Sequence, residues 1–358
     1  MAASLSSRLR TSVVQLAPAC RCASVKLQLP RVVPPLMAAA RSAATRAQFY
    51  YQSDRVPTSL VRTGHVGTIR DGQGSDGEFF GVDPIPMEME VHDGRRQGLT
   101  LDSNGFELVQ HAWDHIDYYN NADVLNCYYP EVEALVCRQV GAKSCVAFDH
   151  NIRAKSKKSS GELLKDGGNA IQEPLISYGV HNDYTAASSI ARIRQLAEPP
   201  KHNDTLRPRL GSKPALDPEQ LDSLLEGRWI FTNVWRNIAD TPVQRFPLGL
   251  ADARSVSRED LIVFEIRYSD RVGENYFARH SSAHRWFYFP ELTKDEVVLL
   301  KVWDSRGRDF VESMPCVDGA KAETVPATFT LHSGFDDLAT KPGAPDRESI
   351  EVRTIAFF

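Results

Sequence analysis

The sequence predicts an α+β fold whose strands close on themselves. Two observations carry this reading. Helix-like segments lead the first half of the chain, and from residue 229 onward short runs rich in β-branched and aromatic residues recur. No internal repeat is found.

Residues 1–53 read as an appended extension. They hold Arg8, Arg10, Arg21, Lys26, Arg31, Arg41 and Arg46, and the first acidic residue is Asp54. Arginine-rich, serine-rich and acid-poor is the composition of a mitochondrial transit peptide. A disordered extension or a start at Met37 are the bland alternatives, with a cytoplasmic location. No uninterrupted apolar stretch comes after the first arginines, which disfavours a secretory signal. Residues 54–358 read as one domain, with its core in about 140–358. The run Arg70-Asp-Gly-Gln-Gly-Ser-Asp-Gly-Glu is turn chemistry and lacks the Lys-Ser/Thr ending of a phosphate loop.

Pro130 to Val140 is expected to be a helix, with proline in its first turn and Val132, Leu135 and Val136 on one face. Ser144 to Phe148 reads as a strand, 153–172 as a solvated loop, and Ile176 to Tyr184 as a strand. Thr185 is a candidate N-cap for a helix to Leu196. A polar insertion, 199–216, precedes a helix from Asp217 to Glu226. Strands are then expected at Trp229–Val234, Leu261–Tyr268, Arg285–Phe289, Val297–Trp303, Ala327–His332 and Ser349–Phe357.

Composition excludes several classes. The 358 residues are 42% hydrophobic and 25% charged, as in an ordinary globular protein. No stretch approaches the roughly 18 apolar residues of a membrane span. The net charge is −4, but without the seven positive charges of 1–53 it is 35 basic against 46 acidic residues, or −11. That body has no electrostatic case for nucleic acid. Six cysteines without a C-x-x-C pair argue against a disulfide framework or a cysteine zinc site.

The chemistry concentrates in His181-Asn-Asp183 and in His332. On a strand, positions i and i+2 share a side, so His181 and Asp183 face one interior. His332 lies 151 positions on (332 − 181) and must come from another strand. Two histidines and one carboxylate form a facial triad for non-haem Fe(II), with open positions for a co-substrate and O2. H-x-D alone arises by chance; the distal histidine and the arginines beyond it give it weight. Arg347, Ser349, Glu351 and Arg353 share parity, and two arginines on an interior face are costly unless they meet anions. Guanidinium binds carboxylate bidentately. Arg347 with Ser349 suits the distal carboxylate of 2-oxoglutarate. Arg353 either approaches the metal-proximal end or pairs with Glu351.

Weaker candidates surround these. His111 and His115 share a helix face if that segment is helical, but the glutamate of H-E-x-x-H is absent. His150 and Arg153 lie just past an expected strand and either line the site or cap a turn. Tyr184, Trp235, His284 and Trp286 are candidate walls for an apolar or polycyclic small molecule, although aromatic strands are more often core.

Eight ordered stretches resemble a known family. They are Tyr128-Tyr-Pro-Glu-Val-Glu133, Gly141-Ala with Phe148-Asp-His-Asn-Ile-Arg153, Val180-His-Asn-Asp-Tyr184, Trp235-Arg-Asn-Ile238 with Pro247-Leu248, His284-Arg-Trp-Phe-Tyr-Phe-Pro290, Asp295-Glu-Val-Val-Leu-Leu-Lys301 with Trp303-Asp-Ser305, His332-Ser-Gly-Phe-Asp336 and Arg347-Glu-Ser-Ile-Glu-Val-Arg353. They look like the AsaB-type hydroxylase/desaturase family, which includes gibberellin desaturase-like enzymes and is similar to the CmcJ component of cephamycin 7α-methoxylation. The arginine spacing also looks like that of AlkB-type dioxygenases, in which both arginines contact 2-oxoglutarate.

The resemblance implies a double-stranded β-helix (jelly-roll) core with flanking helices. It implies Fe(II) on His181, Asp183 and His332, 2-oxoglutarate on Arg347 and Arg353, and hydroxylation or desaturation of an unactivated C–H bond. The basic extension and the insertions at 153–172 and 199–216 depart from the family. The rivals are a catalytically silent subunit serving a protein partner, and a cupin-like metal enzyme that does not use 2-oxoglutarate.

Overall fold

The structure is a computed structural model and describes residues 44–70, 76–113, 116–174, 176, 178–308 and 325–358. Five strands precede the first long helix: β1 (Ala44–Gln52), β2 (Gly67–Arg70), β3 (Asp76–Phe80), β4 (Pro84–Asp93) and β5 (Phe106–Gln110), with the single-turn α1 (Leu101–Asn104) before β5. The expected helical first half is therefore wrong. So is the boundary at residue 53, because β1 lies wholly within the expected extension. Ala47, Phe49 and Tyr51 alternate along β1 and are fully buried, while Arg46 and Gln48 stay exposed. In a basic, small-residue stretch this two-residue period is masked by leader-like composition. The described part of the compact unit begins with β1 at Ala44. Its core likewise draws on strands well before residue 140.

The helices form largely as expected. α2 (Asn121–Asp123) passes through one π-helical turn into α3 (Tyr129–Val140), which buries Tyr129, Val132, Leu135 and Val136. Gly141 ends α3 at φ 72°, the left-handed geometry glycine tolerates. β6 (Ser144–Ala154) is twice its expected length and includes His150 and Arg153. α4 (Lys155–Ser159) interrupts the expected loop. β7 keeps only His181–Asn182 of a nine-residue expected strand. α5 (Ala186–Leu196) starts on a Thr185–Ser188 capping box. The insertion carries α6 (Arg207–Leu210), and α7 (Leu221–Glu226) comes after a 3-10 turn capped by Asp217.

The remaining strands are β8 (Trp229–Asn237), β9 (Leu248–Ala251), β10 (Leu261–Arg267), β11 (Val272–Ala278), β12 (Trp286–Tyr288), β13 (Glu296–Asp304), β14 (His332–Gly334), β15 (Asp336–Asp337) and β16 (Glu348–Phe357). The expected strand at 327–332 survives only from His332. Residues before it are buried but bond singly to other segments, Ala327 to the Asp102 carbonyl and Thr330 to that of Lys301.

Two sheets result among the described residues. The larger runs β15-β1-β4-β12-β9-β14-β7-β11-β10-β2-β3 and is mixed, with β10–β2 and β12–β4 parallel. The smaller is antiparallel throughout, in the order β5-β13-β8-β16-β6. The α+β class holds. β8 and β13 are buried along their whole length, as strands covered on both faces must be. Asn182 ties the sheets together, donating to the Val302 carbonyl (2.9 Å). No helix among the described residues is long and apolar enough to cross a membrane.

Candidate metal centre

β7 and β14 lie side by side, and His181 stands directly opposite His332. The Asp183 side chain reaches both: its Oδ1 is 3.7 Å from His181 Nε2 and 3.9 Å from His332 Nε2. One ligand atom from each of the three lies within 4.8 Å of the others. Three residues from two distant stretches of the sequence thus converge where the two sheets meet.

Hydrogen bonds decide which nitrogen each histidine presents. His181 Nδ1 lies 2.8 Å from the Gly179 carbonyl and His332 Nδ1 3.3 Å from that of Thr330. A carbonyl only accepts, so both Nδ1 atoms carry the proton and both Nε2 lone pairs point at Asp183. The turn that aims the first carbonyl needs Gly179 at φ 122°, a region closed to most side chains. It also explains why β7 is short.

Electrostatics hold the set ready for a cation. Burial, then the facing His332, pushes His181 down to about 4, so its ring is neutral at pH 7. Burial likewise lowers His332. Burial opposes ionisation of Asp183, but the Arg353 guanidinium, helped by the hydrogen bond from Asn233, holds it well below the usual carboxylate range. Asn233 donates to Asp183 Oδ2 (2.7 Å), and Arg353 Nε to the same oxygen (3.3 Å), leaving Oδ1 to the histidines.

The arginine face is built by register. Ser349, Glu351 and Arg353 of β16 pair with Arg153, Asn151 and Asp149 of β6 and with Asn237, Trp235 and Asn233 of β8. Directly paired residues share a face, so these side chains address one interior. Arg347, just before β16, is 5% exposed; its Nη1 donates to the Phe246 carbonyl and its guanidinium lies 5.3 Å over Trp235. Its Nε has no partner among the described residues. Burial, then the neighbouring Arg153, brings its pKa down to about 9. Such a cation is short of an anion.

A family profile described as "Oxidoreductase/YMDC permease-like domain" matches residues 70–357. The chain belongs to this family. A Methylophilus leisingeri protein named only for the dcmA 3' region is 37% identical over 193 residues, 52% of this chain and 88% of that one. Named proteins similar to this chain include "Alpha-ketoglutarate-dependent dioxygenase phiK" from a fungal species, 26% identical over 75% of this chain and 83% of its own. The solved structure of the "iron and alpha-ketoglutarate-dependent endoperoxidase NvfI" superposes with a TM-score of 0.63 at 23% identity, covering 88% of this chain and 98% of that one. At that identity the likeness shows the fold.

The residues of this family member fit the metal and co-substrate that its relatives' names carry. The donor set is two neutral imidazoles and one ionised carboxylate, with a buried under-partnered guanidinium facing the same interior.

Not every expected residue reaches the site. Arg153 and Trp235 do, and Tyr184 stacks on Phe231 (4.5 Å), which shares parity with Asn233 and Trp235. His150 does not. It pairs with Val352, on the opposite face of β6, and its Nδ1 meets Tyr129 Oη of α3 (2.9 Å). Trp286 and His284 are also misplaced. Phe287 is in register with Leu250 and Leu250 with His332, so Trp286, one position off, faces away. Trp286 Nε1 and His284 Nδ1 both meet Tyr51 Oη (2.9 and 3.0 Å). His111 comes directly after strand β5 rather than sitting on a helix, and its Nε2 meets Glu131 (2.9 Å); His115 lies outside the described residues. Sequence reasoning misses Asn233, Asp149 and Asn151. The available signal is polar residues at every second position of otherwise apolar strands.

Proposed function

We propose that this chain is an Fe(II)- and 2-oxoglutarate-dependent oxygenase that hydroxylates or desaturates a C–H bond of a small organic molecule. The convergence of His181, Asp183 and His332 beside a buried, under-partnered Arg347 carries the reading. The named relatives support it. Two sheets meeting at the triad, one of them the antiparallel β16 sheet, support the double-stranded β-helix description.

His181, Asp183 and His332 hold the metal. When bound, it and 2-oxoglutarate convert O2 into the oxidant, with succinate and CO2 released. The protein contributes placement and charge. The carbonyls of Gly179 and Thr330 keep both imidazole protons on Nδ1, so no proton competes at Nε2. Asn233 and Arg353 keep Asp183 ionised and turned toward the histidines. Arg347 and the buried Ser349 take the distal carboxylate, a charge that offsets the cost of the buried guanidinium. Tyr184 on Phe231, with Trp235 and with Tyr178 edge-on to His181 (5.3 Å), forms the apolar wall for the substrate.

The test is succinate formation from 2-oxoglutarate by the metal-loaded protein in air, with His181→Ala and Asp183→Ala alongside. Fe(II)-dependent succinate that both variants lose supports the reading. Unchanged succinate in either variant contradicts it.

We infer as well that residues 1–43 direct the protein to mitochondria. Arg8, Arg10, Arg21, Lys26, Arg31 and Arg41, without one acidic residue, support this.

A further inference from the structure

Three arginines address the interior beside the triad, and their hydrogen-bond capacity is spent very differently. A guanidinium has five N–H donors in a fixed fork. Arg353 is surrounded by acceptors. Nε donates to Asp183 (3.3 Å), Nη1 donates to Asp149 (3.0 Å), and Nη2 is ion-paired with Glu351 (3.2 Å). The Asn151 amide, with its oxygen turned to the guanidinium, accepts from Nη1 (2.7 Å) and Nη2 (3.2 Å). Three carboxylates and one amide already surround Arg353, so its charge is met without a further anion.

Arg347 and Arg153 are the reverse. Among the described residues Arg347 makes one hydrogen bond, to the Phe246 carbonyl, and its buried Nε is unpartnered. The hydrogen bond of Arg153 is from Nη1 to the Glu173 carbonyl (2.9 Å), a neutral acceptor. Both are neighbours of Ser349. Arg153 stands directly across from Ser349 in the β6–β16 register, and Arg347 precedes it by two positions on the same face. Diagonal neighbours of this kind are about 7–8 Å apart, within joint reach of one carboxylate for side chains as long as arginine. Two guanidinium groups side by side repel, and Glu351, an acid that acts on both, is ion-paired with Arg353. An arriving carboxylate would take a fork from each.

We propose that Arg153, not Arg353, partners Arg347 in gripping the distal carboxylate of 2-oxoglutarate, and that Arg353 is a positioning residue for the Asp183 carboxylate. This rests on the oxygenase reading above. It divides the site into two separable equilibria. Metal affinity depends on Arg353 through Asp183, and co-substrate affinity depends on Arg153 and Arg347.

The experiment measures both equilibria in the full chain. Mn(II) affinity is read by electron paramagnetic resonance, and 2-oxoglutarate affinity by calorimetry at saturating Mn(II) without O2. Arg153→Gln is expected to weaken 2-oxoglutarate by at least about 10-fold and leave Mn(II) binding within twofold, with partial recovery in Arg153→Lys. Arg353→Lys is expected to weaken Mn(II) by about 10- to 100-fold, the usual cost of losing an outer partner of a metal ligand. Its 2-oxoglutarate affinity at saturating metal should stay within threefold. The proposal is overturned if Arg153→Gln binds 2-oxoglutarate as the wild type does, or if Arg353→Lys loses 2-oxoglutarate while keeping Mn(II). Arg153 is half-buried, so its two variants decide the matter even where Arg353→Lys does not fold. A wild type that takes Mn(II) but no 2-oxoglutarate overturns the oxygenase reading itself.

Discussion

His181 and His332 face each other across the β7–β14 pairing with ring centroids 4.5 Å apart. Both cannot be protonated at once without repelling each other, and both sit against one ionised carboxylate. The pair is stable at neutral pH as two imidazoles awaiting a cation.

The carboxylate between them is oriented by Asn233, which donates to its Oδ2 (2.7 Å). Asn233→Ala is expected to weaken Fe(II) or Mn(II) affinity by about 10- to 100-fold while the fold persists. Metal titration monitored by electron paramagnetic resonance checks this. Wild-type affinity would show that Asp183 needs no such support.

Arg347 carries opposite expectations for stability and for binding. A buried cation with a single neutral acceptor costs stability, so Arg347→Met should hold or raise the melting temperature of the protein without 2-oxoglutarate. The same change should raise the KM for 2-oxoglutarate by about 100-fold, in line with truncating one side of a buried charge pair. Thermal unfolding and initial rates read the two effects separately. A lower melting temperature with an unchanged KM would make Arg347 structural.

His150 gives a pH signature away from the metal. Burial, only partly offset by Asp149, lowers it to about 4, against an ordinary value of 6.5. The unfolded chain therefore takes up this proton first as pH falls. Stability should be full above about 6.5 and decline toward 4, by on the order of 3 kcal/mol for complete titration. His150→Gln, which keeps a polar group near Tyr129, should lose less melting temperature between pH 7 and pH 4.5 than the wild type. Equal losses would place the acid sensitivity elsewhere.

β1 fixes where the folded unit starts. Phe49 stacks on Trp286 with centroids 4.1 Å apart and is fully buried. Phe49→Ala should cost about 3–5 kcal/mol. A chain starting at residue 44 should unfold cooperatively, and one starting at residue 54 should not. Residues 1–43 fused to a reporter should deliver it to mitochondria; a diffuse reporter would remove that proposal.

Much of the site is legible in the sequence because its ligands obey short periods. His181 and Asp183 are two apart, Arg347 to Arg353 keep one parity, and β8, β10, β13 and β16 are visible as apolar runs. The illegible part is long-range. Trp286 and His332 are aligned by register through β9, and a one-residue offset sends Trp286 to the far face. His150 likewise turns away because β6 continues past Phe148, so parity rather than proximity in sequence places it. β1 escapes because its arginine, alanine and threonine residues match a leader's composition, while its burial depends on β4 and on Trp286, far along the chain. The division of labour among Arg153, Arg347 and Arg353 depends on which carboxylates the register brings to each.

The most direct test of the central claim is an anaerobic titration of the full chain with Fe(II) and then 2-oxoglutarate, monitoring the weak visible metal-to-ligand charge-transfer absorption. The account predicts that the band appears with both components, is absent in His181→Ala at any metal concentration that leaves the fold intact, and needs far more 2-oxoglutarate in Arg347→Ala. A folded, metal-loaded wild type that shows no band as 2-oxoglutarate is added would contradict it.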